Sequence, residues 1–256
     1  GRMTGKSDLV KVERRGGVCE VIIDRTDARN AVNLELCHAL HEVFSGFEMG
    51  EDTRAVLLRS EGPVFCAGAD LKERNGRDEA WVIARRQAAF KAYMSIETCP
   101  LPVVCAVQGP VVGSGGEIAM ASDFIVASEK ATFLFPEPQW GTVGATQRLQ
   151  RVIGVSSAKE LLFTGRKLGV EEAHARGLVA RVLPDDGFLD AAREVAAKVA
   201  EAPHLAMQLT KRAVDEGGQT DLASGIEIEL GAIRQVLSNS NWRAGIERFN
   251  NEVGNG

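Results

Sequence analysis

Short, uninterrupted apolar runs alternate with longer amphipathic segments through the first two-thirds of the chain. Val18-Cys19-Glu20-Val21-Ile22-Ile23, Ala55-Val56-Leu57-Leu58-Arg59, Pro102-Val103-Val104-Cys105-Ala106-Val107 and Phe124-Ile125-Val126-Ala127 read as strands. Between them, residues 33–47, 79–96 and 115–121 carry helical patterns. Strands that are apolar throughout must be covered on both faces, so this alternation predicts an α/β fold with helix-covered sheets. No fixed period marks a solenoid.

The pattern changes after residue 185. Residues 190–200, 205–214 and 220–237 are helical in character, with no convincing strand. In the last of these, Leu222, Ile226, Leu230, Ile233 and Leu237 form one apolar stripe along a helix. Such a stripe packs on its own core or docks on another subunit, and periodicity does not separate the two.

Composition narrows the classes. With 256 residues, 45% of them hydrophobic and 25% charged, the chain supports a substantial core and is neither a disulfide mini-protein nor a disordered segment. A net charge of −5 and a pI near 5.5 argue against a phosphate-backbone binder. Charged residues or glycine interrupt every apolar run short of a membrane span. Residues 1–13 have no signal-peptide core, and Gly1-Arg2 ahead of Met3 reads as a tag remnant. The expectation is a soluble, cytoplasmic protein. Cys19, Cys37, Cys66, Cys99 and Cys105 lack CxxC spacing, so buried reduced thiols are expected. His38 and His41 have helical spacing but no matching Cys or acidic ligand, and no metal is expected. Arg74, Arg77, Arg85, Arg86 and Lys91 form the one locally basic stretch, read as a solvated helix face.

Three segments carry candidate chemistry. In Phe65-Cys66-Ala67-Gly68-Ala69-Asp70-Leu71-Lys72, small residues let a ligand approach backbone N–H donors, and Asp70 is placed to cap the following turn. A tight strand-to-helix turn without a ligand explains the same residues. In Gly109-Pro110-Val111-Val112-Gly113-Ser114-Gly115-Gly116-Glu117, a glycine-rich loop opens a short helix. Its free N–H groups favour negative charge, but the third glycine of a dinucleotide fingerprint and the Lys of a phosphate loop are missing. The third segment, Phe135-Pro136-Glu137-Pro138-Gln139-Trp140, sets Glu137 between two prolines in apolar surroundings that favour a protonated carboxyl. Singly, each glutamate is an ordinary solvated or paired side chain; together with two donor loops they make a candidate acid–base pair.

At these residues the chain resembles the crotonase superfamily, and within it an enoyl-CoA hydratase. The likeness also takes in Asp24-Arg25-Thr26-Asp27-Ala28-Arg29-Asn30-Ala31, Thr146-Gln147-Arg148-Leu149, Leu162-Phe163-Thr164-Gly165-Arg166, Glu172-Ala173 and Gly177-Leu178-Val179, in the family's order. The resemblance implies a spiral of ββα repeats over residues 3–190. A C-terminal helical region, 191–256, would mediate homotrimers or dimers of trimers. It implies an oxyanion hole from the backbone N–H groups of Ala67 and Ser114. Glu117 would activate the attacking water and Glu137 would protonate the carbon alpha to the carbonyl. Arg29, Ala69, Asp70 and Lys72 would approach coenzyme A, and Trp140 would line the acyl pocket or pack in the core. The implied reaction is syn addition of water to a trans-2-enoyl-CoA. The implied partners are that thioester and other copies of the chain, with no separate cofactor, nucleic acid or membrane. An isomerase or another CoA-thioester lyase or hydrolase is the alternative within the superfamily, and a fold that binds RNA or a partner without turnover is the alternative outside it. Two departures stand out: Gly141-Thr142-Val143-Gly144-Ala145-Thr146 is shorter than the family's loop, and no K-R-x-P-x-F-like run follows Phe249.

Overall fold

The apolar runs form one sheet whose two faces are both covered. In chain order it is built from β1 (Val10–Arg15), β2 (Val18–Ile23), α1 (Leu34–Ser45), β3 (Ala55–Ser60), α2 (Glu79–Glu97) and β4 (Val103–Val107). These are followed by β5 (Pro110–Val112), α3 (Ser114–Ala121), β6 (Phe124–Ser128), β7 (Thr132–Leu134), α4 (Thr146–Ile153) and α5 (Val155–Thr164). Then come β8 (Leu168–Gly169), α6 (Val170–Ala175), β9 (Arg181–Leu183) and α7 (Phe188–Ala200). The large sheet has the order β1-β2-β3-β4-β6-β9, parallel except for the β1–β2 hairpin. A small sheet has the order β5-β7-β8. The computed structural model describes residues 7–48, 50, 52–239 and 241–255, so the Gly1-Arg2-Met3 start lies outside the described residues.

Side-chain alternation divides the core. Val21, Ile23, Val56, Leu58, Val103, Cys105, Ile125 and Ala127 face α1, α2 and α3, while Ala55, Leu57, Val104, Ala106 and Val126 face Phe188, Ala192, Val195 and Ala196 of α7. All five cysteines are buried and none is in a disulfide, and His38 and His41 lie on the exposed side of α1. Asn33 starts α1 by accepting from the Leu36 N–H, and Asp78 starts α2 by accepting from Trp81. Glu20 is fully buried in the middle of β2, against Arg15, Arg59 and Arg193.

The chain divides into two compact units, the first ending at Glu201 and the second starting at Ala202. The sequence reading opened the C-terminal region at residue 191. The apolar stripe of α7 instead fills the second core face, so that helix belongs to the first unit. The second unit contains α8 (His204–Gly217), α9 (Leu222–Asn239) and α10 (Trp242–Val253). Helices α8 and α9 pair beside an apolar groove of about 510 Å³ lined by Leu209, Leu222, Ile226, Ile233 and Leu237. Among the described residues no helix is long and apolar enough to cross a membrane.

Candidate active site

The site forms where two neighbouring parallel strands end. Strands β5 and β7 pair Val111 with Phe133 and Val112 with Leu134, and Gly113 N–H donates to the Leu134 carbonyl at 2.8 Å. Past that tie the two chains diverge. One enters α3 and brings Glu117; the other makes a single tight helical turn, Glu137–Trp140. Residues far apart in sequence thus meet at strand C-terminal ends, the usual place for sites in parallel sheets.

Both glutamates are buried, Glu117 at 5% and Glu137 at 7% exposure. The Glu137 carboxylate lies over Gly113: a Cβ built there would sit 2.7 Å from Glu137 Oε1. Gly113 has φ +49°, which glycine adopts freely, so its lack of a side chain serves both backbone and carboxylate. Glu137 Oε2 is buried and has no hydrogen-bond partner among the described residues. Burial pushes its pKa above the usual carboxylate value, opposed by its own backbone N–H and the charge of Arg86. Glu117 is also raised by burial, opposed first by Arg148 and then by Arg86, with the negative charge of Glu137 adding to the rise and the Ala145 N–H lowering it. Arg148 Nη1 stands 3.9 Å from Glu117 Oε1, with its guanidinium carbon 5.2 Å from the Tyr93 ring centroid. The environments differ in that Glu117 has Arg148 within 3.9 Å, whereas among the described residues Oε2 of Glu137 has no partner.

The oxyanion donors need a correction. Ala67 N–H, expected to be half of the hole, donates to the Arg29 carbonyl at 3.1 Å and is not free. The segment at 66–67 is held on both sides, by Arg29 and by β5, where Cys66 N–H donates to Pro110 and Val112 N–H to the Cys66 carbonyl. Gly68, at φ +94°, then turns the backbone. Ala69 N–H emerges with no acceptor among the described residues, before Asp70 N–H pairs again with Val32. Ser114 N–H, in the first turn of α3, is likewise without an acceptor among the described residues. Ala69 and Ser114 each lie three residues beyond the Cys66–Val111 bridge, so the two free donors belong to adjacent segments.

The remaining expected residues are placed as follows. Asp70 caps the Leu71–Arg74 turn by accepting from the Lys72 N–H, as its sequence position predicts. It also pairs with Arg25 at 2.9 Å, so its carboxylate is occupied. Lys72 and Arg29 are exposed, and Arg29 is left-handed at φ +53°. Trp140 ends the turn that begins at Glu137 and is 54% exposed, so it does not pack in the core.

Sequence reading missed several contributors. The short loop after Glu137 is pinned by Arg86, whose Nη2 donates to the Val143 carbonyl at 2.7 Å, and its Ala145 sits in the left-handed region at φ +57°. Arg85 is buried, donating to Glu73 and to the Val32 carbonyl, so the basic stretch is not simply a solvated face. The spacing of Arg86, Tyr93 and Glu97 on α2 was the available signal: these positions lie on one helix side.

A family model described as "Enoyl-CoA hydratase/isomerase" matches residues 13–253. The sequence is 35% identical over 254 residues to the probable mitochondrial enoyl-CoA hydratase 2 of Arabidopsis thaliana, covering 96% of this chain and 84% of that protein. It is 33% identical over 246 residues to the mitochondrial methylglutaconyl-CoA hydratase of Mus musculus, covering 93% and 78%. The crystal structure of an enoyl-CoA hydratase from Bacillus anthracis superposes with a TM-score of 0.92 at 33% identity, covering 96% of this chain and 97% of that one.

Proposed function

Because this chain belongs to the enoyl-CoA hydratase/isomerase family, we propose that it hydrates trans-2-enoyl-CoA thioesters. The observation that carries this reading is the unequal pair of buried glutamates beside two free backbone donors. Ala69 and Ser114 N–H groups receive the thioester oxygen as it gains enolate charge, a stabilisation realised in the transition state. Glu117, with Arg148 and the Ala145 N–H beside it, is the base that takes a proton from water as the water oxygen bonds the β-carbon. Glu137, whose unpartnered oxygen favours the protonated form, delivers its proton to the α-carbon. The enolate collapses to the saturated 3-hydroxyacyl thioester, and proton exchange with solvent resets the two carboxyls. Burial raises both carboxyls, and the Arg148 charge and Ala145 N–H at Glu117 against the unpartnered Oε2 of Glu137 are the difference that assigns base and acid. A double-bond isomerase needs only a carboxylate that moves a proton between two carbons, so the second buried glutamate favours hydration.

In this reading Arg29 and Lys72 approach the CoA phosphates, and Trp140 borders the acyl chain. Copies of the chain assemble as trimers or pairs of trimers through the α9 stripe, where Leu222, Ile226, Ile233 and Leu237 are exposed. Light scattering on the purified protein tests that assembly. The activity test follows the conjugated enoyl-thioester absorbance with short, long and ring-bearing trans-2-enoyl-CoA substrates. Absorbance is expected to fall in the wild type and to persist in Glu117→Gln. Thioester binding without any absorbance loss across the set would overturn hydration, and gain of absorbance from a 3-enoyl-CoA would indicate the isomerase.

A further inference from the structure

Two opposite charges, Glu97 and Arg148, stand at the wrong ends of their helices. Glu97 closes α2 (Glu79–Glu97), where the helix dipole disfavours an anion, and Arg148 lies in the first turn of α4 (Thr146–Ile153), where the dipole disfavours a cation. Each offsets the other: Arg148 Nε donates to Glu97 Oε1 at 2.6 Å. Neither charge is placed for the benefit of its own helix. What the pair does fix is the guanidinium, because the Tyr93 ring, only 1% exposed, has its centroid 5.2 Å from the guanidinium carbon. A planar group held along one edge by a carboxylate and across one face by a buried ring has little freedom to turn.

That restraint bears on the two glutamates at a definite distance. Nη1 of the same guanidinium stands 3.9 Å from Glu117 Oε1, near enough for charge to act and too far for a hydrogen bond. The charged and titratable groups that face Glu117 are Arg148 from α4, Arg86 and Tyr93 from α2 and Glu137 from its tight turn, with the Ala145 N–H beside them. Released from Glu97, Arg148 would close the gap and form the direct pair that a buried carboxylate and a guanidinium favour. N–H donors would then fill the Glu117 oxygens, and a water held there for attack would lose its acceptor. Glu97 also shares the Arg148 charge between two carboxylates, so its loss strengthens the field at Glu117.

We propose that Glu97 is a positioning residue, which with Tyr93 holds Arg148 short of a direct pair with Glu117 and so keeps the Glu117 oxygens open to the attacking water. The role of Glu117 rests on the hydratase reading; the assignment of Glu97 goes beyond it. The test follows the protonated-carboxyl infrared band of Glu117 against pH in the intact protein, assigned by its absence in Glu117→Gln. Hydration of an enoyl-CoA is measured on the same samples. In Glu97→Ala, at a helix end that alanine suits, the Glu117 protonation midpoint should fall by about one pH unit, the scale of an opposite charge brought into contact. The kcat should fall about tenfold or more while KM stays near the wild-type value, since a lost water acceptor leaves thioester binding intact. Arg148→Gln should move the midpoint up instead, and adding Glu97→Ala to it should change neither reading much further. A midpoint that stays or rises in Glu97→Ala overturns the proposal. So do losses that add in the double variant, which would mean that Glu97 acts by a route other than Arg148. A wild type that hydrates no enoyl-CoA removes the hydratase reading, while the infrared titration still decides whether Glu97 governs Glu117.

Discussion

Replacing Glu137 by Gln separates the cost of holding a carboxyl in this site from its use. Glu137 is 7% exposed and among the described residues its Oε2 has no hydrogen-bond partner, so its ionised form is held only by its own backbone N–H and the charge of Arg86. A buried unsatisfied polar group costs about 1–3 kcal/mol, and more when charged. Glutamine keeps the shape and imitates the protonated acid. The sign of the pH dependence follows from the raised folded pKa. The stabilising contribution of such a carboxyl is complete below its unfolded value, about 4.3, and is lost as pH rises through the folded value. Between pH 4 and pH 8 the wild type therefore loses stability through this group and the variant does not. Glu137→Gln is therefore expected to raise the melting temperature at pH 8 by roughly 2–4 °C per kcal/mol relieved. That gain should shrink toward zero near pH 4. Turnover of an enoyl-CoA should fall by about 10²–10⁴, the scale of a lost general acid. Paired thermal unfolding at several pH values, with absorbance kinetics on the same samples, measures both. A variant less stable than the wild type at pH 8, or a stability difference independent of pH, would refute the reasoning that this carboxyl is held protonated at a cost.

Three other substitutions test neighbouring parts of the argument. Gly113→Ala puts a methyl 2.7 Å from Glu137 Oε1 on a residue with φ +49°; it should cost about 1–2 kcal/mol in denaturant unfolding from backbone strain alone, with at least tenfold lower turnover, and wild-type values for both would contradict the placement. Glu20→Gln leaves Arg15, Arg59 and Arg193 facing a neutral group inside the fold, and a loss of about 3–5 kcal/mol is expected. Desolvation raises the Glu20 pKa, but hydrogen bonds from Arg193 and Arg15 and the charge of Arg59 leave it lowered overall. The Glu20 contribution is thus present at neutral pH and lost as pH falls through its folded value, so the variant and wild type should converge in acid. Asp70→Asn breaks the Arg25 pair while keeping a turn cap; loss of about 1 kcal/mol or less is expected for a partly exposed pair, and a larger drop in turnover than in stability would mean the pair positions Ala69.

The alternation of apolar runs with helical periods was enough to place β2, β3, β4 and β6 and the helices between them, because burial on both faces leaves a pattern that local sequence carries. Residues 65–72 and 109–117 and the proline-flanked Glu137 were legible for a similar reason: small residues, a helix start and a turn are local matters. The short strands β5, β7 and β8 were not, since each depends on a neighbour supplied from elsewhere in the chain. Which backbone donor is free was decided only by pairing. Ala67 and Ala69 look equivalent in sequence, yet Arg29, from a loop near the start of the chain, occupies one N–H and leaves the other open. The same holds for charge. Arg74, Arg85 and Arg86 read as one basic stretch, but Glu73 pairs with Arg85, and the loop after Glu137 brings Arg86 to the glutamates. Sequence thus determined the chemical groups and the elements that carry them. Tertiary structure decided which of those groups remain unpartnered, because hydrogen-bond and charge partners come from distant segments, and only an unpartnered group is available to a substrate.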